Sequence, residues 1–443
     1  MAPHLLCLSN LDRKCPLLMY LVFFYKKSHP HQNPSLGSLS NSLKLGLERI
    51  LSVWFPAAGR LAINPTNQKL DLVCNNAGAI LVEAVTQVKI SELGDLSQYN
   101  SFFENLVFKP VFNENFSVMP LVVAQVTTFG CGGYAVGIGI SHSLFDGQAT
   151  FDFLNAWAST IAGRAGGSVQ LITPVHERGR LLVGNSQTQP RDRQLTRVVA
   201  FDHIYQLIEQ AASTPSVDPD RMIGGCNFSE LGPTSQEDCV LKTFSVSSAM
   251  IECLKRRVGC GRHIGACSSF EVVAAHLWKA RTKALGLRNE RKVCLQFTVD
   301  TRNKMSPPLP RSFSGNAYVL VSTASTAAEL DEESIEATIG KIKQAKGVVT
   351  DDYVRAYIDA LEAPQRALPP IRELTIVSDW TRTPFHTVDF GHGSAAYASP
   401  LGSPIPQVAY FMQSPNEAGA IDVRIGLHPQ YVHAFYHYFL TMS

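Results

Sequence analysis

The stretch Gly133-Tyr-Ala-Val-Gly-Ile-Gly-Ile-Ser141 is apolar almost throughout and runs straight into His142-Ser-Leu-Phe-Asp146-Gly147. An apolar run of this length that closes on a turn signal fits a buried strand, and Asp-Gly marks a sharp departure from it. Phe151-Asp-Phe-Leu-Asn-Ala-Trp157 then repeats apolar residues at helical spacing. The pattern is strand, histidine, turn, helix. A histidine at a strand end is fixed by the scaffold while its ring can face open space, which suits a general base for a hydroxyl or amine. Taken alone, the motif favours a hydrogen-bonded core histidine, because His-x-x-x-Asp arises readily by chance in a chain with thirteen histidines.

Length and composition narrow the class. A chain of 443 residues exceeds the usual single core, so two domains are expected. Apolar residues make up 45% and charged ones 17%, which suits a well-buried globular enzyme. A net charge of +2 argues against a nucleic-acid binder. The ten cysteines form no Cys-x-x-Cys pair, and although Cys253, Cys260 and Cys267 recur every seventh residue, no histidine set completes a zinc site. No metal is expected, and the cysteines read as reduced thiols of an intracellular protein. Met1 to Lys14 has no continuous apolar core of a signal peptide, and Pro16–Tyr25 is too short to span a bilayer. A cytoplasmic protein is expected.

Leu36, Leu39, Leu43, Leu47 and Leu51 fall at three- and four-residue spacing and predict an amphipathic helix that Pro56 and Gly59 terminate. Strands are expected at Lys69–Cys74, Ile80–Ala84, Leu121–Thr127 and Tyr134–Ile140. From Gly163 to about Ser235 the chain becomes Arg-, Pro- and Ser-rich with one good helix, Phe201–Ala212, and reads as a crossover linker. Ser268 or Ser269 caps a strong helix with Glu271 in its first turn. Strands at Val293–Val299, Asn316–Ser322, Leu374–Ser378, Val408–Met412 and Ala420–Gly426 alternate irregularly with helices, a mixed α/β pattern.

Several motifs then coincide. They are Leu8-Ser-Asn-Leu-Asp12, Phe55-Pro-Ala-Ala-Gly-Arg60, Cys74-Asn-Asn-Ala-Gly78, Ser141-His-Ser-Leu-Phe-Asp-Gly147, Ser269-Phe-Glu through Trp278, Asp300-Thr-Arg302 through Gly315-Asn316, Ser378-Asp-Trp-Thr-Arg382 and Asp389-Phe-Gly-His-Gly393. In order and coverage they resemble the plant BAHD acyltransferases, the coenzyme-A-dependent family with a His-x-x-x-Asp site. The opening and the His142 motif look similar to the brassinosteroid-related branch. One departure is plain: the family's late motif is usually Asp-Phe-Gly-Trp-Gly, and His392 replaces the tryptophan.

The resemblance implies two chloramphenicol-acetyltransferase-like α/β domains, expected at 1–180 and 236–443 with a crossover linker at 181–235. The second domain would carry the coenzyme A segments and the Asp-Phe-Gly-His-Gly motif. It assigns His142 as general base and sets Asp146 beside it in the catalytic motif. For Asp146 it implies a structural role in an ion pair, with Arg302 as the expected partner. It places Ser378 and Trp380 in an acyl-binding segment, and a core role for Trp380 remains the alternative. It points to Ser268, Ser269, Arg302, Lys304 and Arg382 as contacts of the coenzyme. The expected co-substrate is acyl-CoA, with no permanently bound cofactor, and the acceptor is a small alcohol of plant specialised or hormone-like metabolism. The protein would be a monomer with no nucleic-acid partner and no membrane span. An amine acceptor, or a non-catalytic small-molecule binder on the same fold, are the alternative readings.

Overall fold

The computed structural model describes residues 3–26, 36–111, 115–162, 173–183, 197–212, 239–259, 267–363, 371–391, 393–401 and 408–441. Strands β1 (His4–Leu6), β2 (Leu18–Tyr25), β3 (Arg60–Ile63), β4 (Leu70–Cys74), β5 (Ile80–Thr86), β6 (Val122–Phe129) and β7 (Tyr134–Ser141) come first. They are followed by β8 (Val240–Val246), β9 (Lys292–Asp300), β10 (Tyr318–Thr326) and β11 (Leu374–Asp379). The chain closes with β12 (Tyr397–Pro400), β13 (Val408–Gln413) and β14 (Ile421–Leu427). The helices are α1 (Asn10–Arg13), α2 (Leu36–Val53), α3 (Gly147–Ala162), α4 (Val199–Ala212) and α5 (Ser248–Arg257). After them come α6 (Ser269–Ala284), α7 (Ala327–Glu332), α8 (Ile335–Gly347), α9 (Asp351–Ala360) and α10 (Pro429–Leu440).

Two compact units divide these elements. The first holds residues 1–191 together with 307–318 and 383–402. Its five-stranded sheet runs β12-β2-β7-β6-β5, antiparallel except for the β5–β6 pair, and a small sheet β1-β4-β3 accompanies it. Strand β7 is buried along its whole length, as its apolar run predicts. Its glycines are required by close neighbours. A Cβ on Gly137 would sit 1.9 Å from the Leu106 carbonyl oxygen, and one on Gly139 would meet Tyr20 and Val123 at 2.6 and 2.7 Å. Leu39, Leu43, Leu47 and Ile50 give α2 its buried stripe. Trp157 of α3 donates its indole N–H to the Leu43 carbonyl (3.0 Å) and packs edge-on against Phe390. The expected break after α2 is a 3₁₀ turn, Phe55–Ala58, with Pro56 in its first turn where a missing N–H costs nothing.

The second unit holds residues 192–306, 319–382 and 403–443. Its six-stranded sheet runs β10-β9-β11-β13-β14-β8, with β11 parallel to both β9 and β13. One face carries Phe244, Phe297 and Phe411. Phe244 packs on Phe435 and Phe439 of α10, while Phe270 of α6 covers Phe297 and Phe411. Since neighbouring strand residues point to opposite faces, Thr243 and Tyr410 lie on the other side, in one cross-strand row with Arg424 and Ser378.

Two expectations need correction, and three short strands went unforeseen. The compact units are not contiguous halves. Residues 307–318 and 383–402, expected in the C-terminal domain, belong to the first unit, because β12 completes the edge of the first sheet by pairing with β2. Strands β1, β3 and β12, each of three or four residues, carry too little periodicity to be foreseen. Cys267, expected as a reduced thiol, is disulfide-bonded, whereas Cys7, Cys15, Cys74, Cys131, Cys239, Cys253 and Cys294 are free. Within the expected linker 181–235, residues 184–196 and 213–235 lie outside the described residues, as does His392. Among the described residues no helix is long and apolar enough to cross a membrane, and no cluster of three metal-ligating side chains occurs.

Candidate active site

His142 follows β7 directly and is anchored by its backbone. Its N–H donates to the Leu17 carbonyl (2.9 Å), continuing the β2–β7 ladder by one residue, and its carbonyl accepts from Asn316 Nδ2 (2.7 Å). Its ring lies 5.9 Å from that of Tyr318, centroid to centroid. Burial pulls the imidazole pKa below its usual value, and hydrogen bonding to its own backbone, the Asp146 charge and Asn316 oppose that shift without cancelling it. The ring is therefore neutral at physiological pH and able to accept a proton.

Asp146 sits four residues on, yet its carboxylate is directed at backbone groups. Oδ1 accepts the Ala149 N–H (2.9 Å) and its carbonyl accepts the Thr150 N–H (2.8 Å), which makes it the N-cap of α3. Oδ2 accepts the Ala317 N–H (3.1 Å). The residue thus ties the start of α3 to the segment leading into β10.

Beneath His142 lies a buried network whose geometry the sequence did not disclose. Asp12 is fully buried at the third position of α1, in a reciprocal capping box with Ser9. Its Oδ1 accepts both N–H and Nδ2 of Asn316 (3.0 and 2.9 Å), and the Arg178 guanidinium stands 3.5 Å from Oδ2. Arg178 also donates to the His176 and Leu144 carbonyls. Asp12 and Asn316 fall in recognised motifs, and Ser9-Asn-Leu-Asp12 has the spacing of a capping box. Arg178 gave no signal: it is one arginine in an arginine-rich stretch.

Ser378 and Trp380 belong to the second unit, at the end of β11. The structure brings these two together: the Trp380 indole N–H donates to Ser378 Oγ (3.0 Å). The Trp380 backbone N–H donates to the Phe411 carbonyl (2.8 Å), and its ring packs on Tyr410 at 4.9 Å. Between them, Asp379 accepts from the Thr381 N–H and hydroxyl (3.0 and 2.6 Å), closing a tight turn that sets the indole's direction.

The five residues assigned to the coenzyme are also in the second unit. Ser268 is the N-cap of α6 as expected, but its hydroxyl accepts from the Glu271 N–H and its own N–H donates to Glu271 Oε2. Lys346 pairs with Oε1 of the same carboxylate at 2.6 Å. Burial opposes ionisation of Glu271, yet the bonds from Lys346 and Ser268 outweigh it and hold the pKa below its usual value. The helix terminus therefore carries its own anion. Ser269 is half-buried beside it, while Lys304 and Arg382 are exposed. Arg302 is buried, with Asp300 at 3.5 Å.

Residues 2–442 match the family described as Transferase family. The chain is 49% identical to brassinosteroid-related acyltransferase 1 of Arabidopsis thaliana, over 98% of this chain and 93% of that protein. The chain is a plant BAHD acyltransferase. Among other relatives, it is 30% identical to fatty alcohol:caffeoyl-CoA acyltransferase of Arabidopsis thaliana, over 95% of this chain and 90% of that protein. Vinorine synthase superposes on all of this acyltransferase and 97% of its own chain, with a TM-score of 0.71 at 20% identity. TRI101 of F. graminearum, complexed with coenzyme A and deoxynivalenol, superposes with a TM-score of 0.69 at 15% identity, over 97% of this chain and 96% of its own. Both likenesses place the acyltransferase on the chloramphenicol-acetyltransferase-like fold.

Proposed function

We propose that this BAHD acyltransferase transfers an acyl group from a coenzyme A thioester to the hydroxyl of a small plant metabolite, directly and without a covalent enzyme intermediate. The observation that carries this reading is His142, a neutral imidazole fixed at a strand end by Leu17 and Asn316. It takes the acceptor hydroxyl proton as the oxygen attacks the thioester carbon. The carbon–oxygen bond forms and the carbonyl oxygen becomes an oxyanion. Collapse then breaks the carbon–sulfur bond, and the departing thiolate receives the proton from the His142 imidazolium. Donors aimed at the oxyanion are usually a large catalytic contribution, and Ser378 with Trp380 supply candidates.

A hydroxyl acceptor is supported by the relatives' names: at 49, 30 and 29% identity stand the brassinosteroid-related, fatty-alcohol and omega-hydroxypalmitate enzymes. For the donor, Ser268, Ser269, Lys304 and Arg382 are the assigned coenzyme contacts with accessible surface. Buried Arg302, with Asp300 beside it, suits a structural ion pair better than a phosphate contact. The test is release of free coenzyme A thiol from acetyl-, caffeoyl- and feruloyl-CoA in the presence of sterol and long-chain alcohols, with the ester identified by mass spectrometry. Ester formation that disappears in His142→Ala supports the reading. Products acylated only on amines, or full turnover in His142→Ala, would overturn it.

A further inference from the structure

The last helix of the second unit carries a pair of side chains that acyl transfer does not use. Helix α10 buries Phe435 and Phe439 against Phe244 of β8, while His433 and His437 stand exposed. An α-helix turns about 100° per residue, so the midpoint of the two histidines lies roughly 160° around the axis from that of the two phenylalanines. They face straight outward, where packing asks for no imidazole. Residues four apart on a helix have Cβ atoms about 5–6 Å apart, and long side chains lean toward the N-terminus. The His437 ring therefore leans over the turn that carries His433. Thr441 Oγ1 stands 3.5 Å from His437 Nδ1, which engages that nitrogen with the helix end and leaves Nε2 as the outward ligand. We infer that His433 and His437 form a two-histidine site for a late first-row divalent ion, Cu²⁺, Ni²⁺ or Zn²⁺, with water completing its coordination.

The ligand chemistry sets the class of ion. Imidazole nitrogen suits Ni²⁺, Cu²⁺ and Zn²⁺, whereas Mg²⁺ and Ca²⁺ take oxygen ligands. A metal–nitrogen bond of about 2.0–2.1 Å is reached from two adjacent turns by side-chain rotation alone, and both rings are exposed, so no packing is broken. The helix itself supplies the preorganisation. Phe435 and Phe439 pin it to β8, and His428 with Pro429 caps its start, so the second imidazole meets an ion held by the first at high effective concentration. His428 is not a third ligand of the pair, because its Nδ1 faces the Gln430 N–H at 3.4 Å. The nearest described cation, Lys283 beside the Tyr438 ring, is paired with Asp331 at 2.8 Å and so does not repel the ion strongly. Two protein ligands make an exchangeable site rather than a closed structural centre. A bound ion clips two turns of α10 together, and since the clip exists only in the folded helix, binding stabilises it by mass action.

The test needs no turnover and is independent of the acyl-transfer reading. Full-length protein without an added histidine tag is titrated with NiCl₂ by calorimetry, beside His433→Gln, His437→Gln and the control His428→Gln, which has the same histidine content. Glutamine keeps a polar, helix-compatible side chain, so all three variants should melt as the wild type does without metal. Wild type and His428→Gln should show the same tight phase of one Ni²⁺ per chain. Its affinity should fall about 10²-fold in either His433→Gln or His437→Gln, because each loses the chelate. Ni²⁺ should raise the melting temperature of wild type and leave that of both site variants nearly unmoved. Cu²⁺ should bind this phase more tightly than Ni²⁺ or Zn²⁺, and excess Mg²⁺ should not displace them. The exposed thiols of Cys7 and Cys131 can also hold soft ions, but any such phase would persist in every variant. An affinity unchanged in both site variants would put the ion elsewhere and overturn the inference. Loss in only one of them would also overturn it, since a lone imidazole is then the ligand.

Discussion

Asp146 follows His142 by one turn of chain, yet its two carboxylate oxygens are bound to the Ala149 and Ala317 N–H groups. A carboxylate so engaged works as a brace, and its charge reaches the imidazole only through space. Asp146→Asn replaces one acceptor oxygen by an amide donor that cannot serve a backbone N–H. We expect it to lower the urea midpoint and to reduce kcat, and Asp146→Ala to do both more severely. Loss of rate at unchanged stability would show that the carboxylate takes part in proton transfer.

His142→Ala removes the placed base and should lower kcat roughly 10²–10⁴-fold with the fold intact. Because burial holds the imidazole pKa below its ordinary value of 6.5, the wild-type rate should be flat through neutrality. It should fall only at acidic pH, as the ring becomes protonated. Steady-state kcat/KM measured from pH 4.5 to 8.5 checks this. A decline beginning above pH 7 would contradict it.

Much of the strand bearing His142 was legible because the constraint is local: an apolar run of this length that closes on a turn signal fits a buried strand. The support beneath the histidine was not. Asp12 and Asn316 are separated by 304 positions, and no periodicity relates residues so far apart. Helix α2 was readable from its leucine spacing, whereas β12 is four residues ending in proline and reads as loop until β2 is beside it. Ser378 and Trp380 could be singled out by motif, but the bond between them depends on the Asp379 turn, which only the folded chain displays.

Asp12 is the carboxylate on which Ser9, Asn316 and Arg178 converge. Asp12→Asn leaves a buried guanidinium without its counter-charge, a loss that typically costs about 3–5 kcal/mol. Denaturant unfolding should show that drop. Ser9→Ala, which removes the cap of a short helix and one bond to Asp12 Oδ2 but leaves the ion pair, should cost less, about 1–2 kcal/mol.

His176 predicts a separate acid sensitivity. Burial lowers its pKa from 6.5 to about 4, outweighing its bond to the Val53 carbonyl. The unfolded chain therefore binds the proton more readily than the folded one. The stabilising contribution is complete above pH 6.5 and is lost as pH falls toward 4. Thermal melts at pH 7.5, 6 and 4.5 should show this decline, and His176→Gln should flatten the slope. An equal slope in both proteins would contradict the assignment.

The pairing of β12 with β2 also bears on how the chain is made. Strand β2 is complete by residue 25, but its edge partner is not translated until residues 397–400. At usual synthesis rates, on the order of 5–20 residues per second, that edge waits roughly twenty seconds to over a minute. Until then Leu21–Phe24 present an apolar ladder with open backbone donors and acceptors on one side, the kind of surface that recruits a neighbouring chain. Nascent or truncated forms of this acyltransferase should therefore depend on chaperones in a way the finished chain does not, and cutting the gene at the apparent halfway point would yield a first unit that cannot close its own sheet.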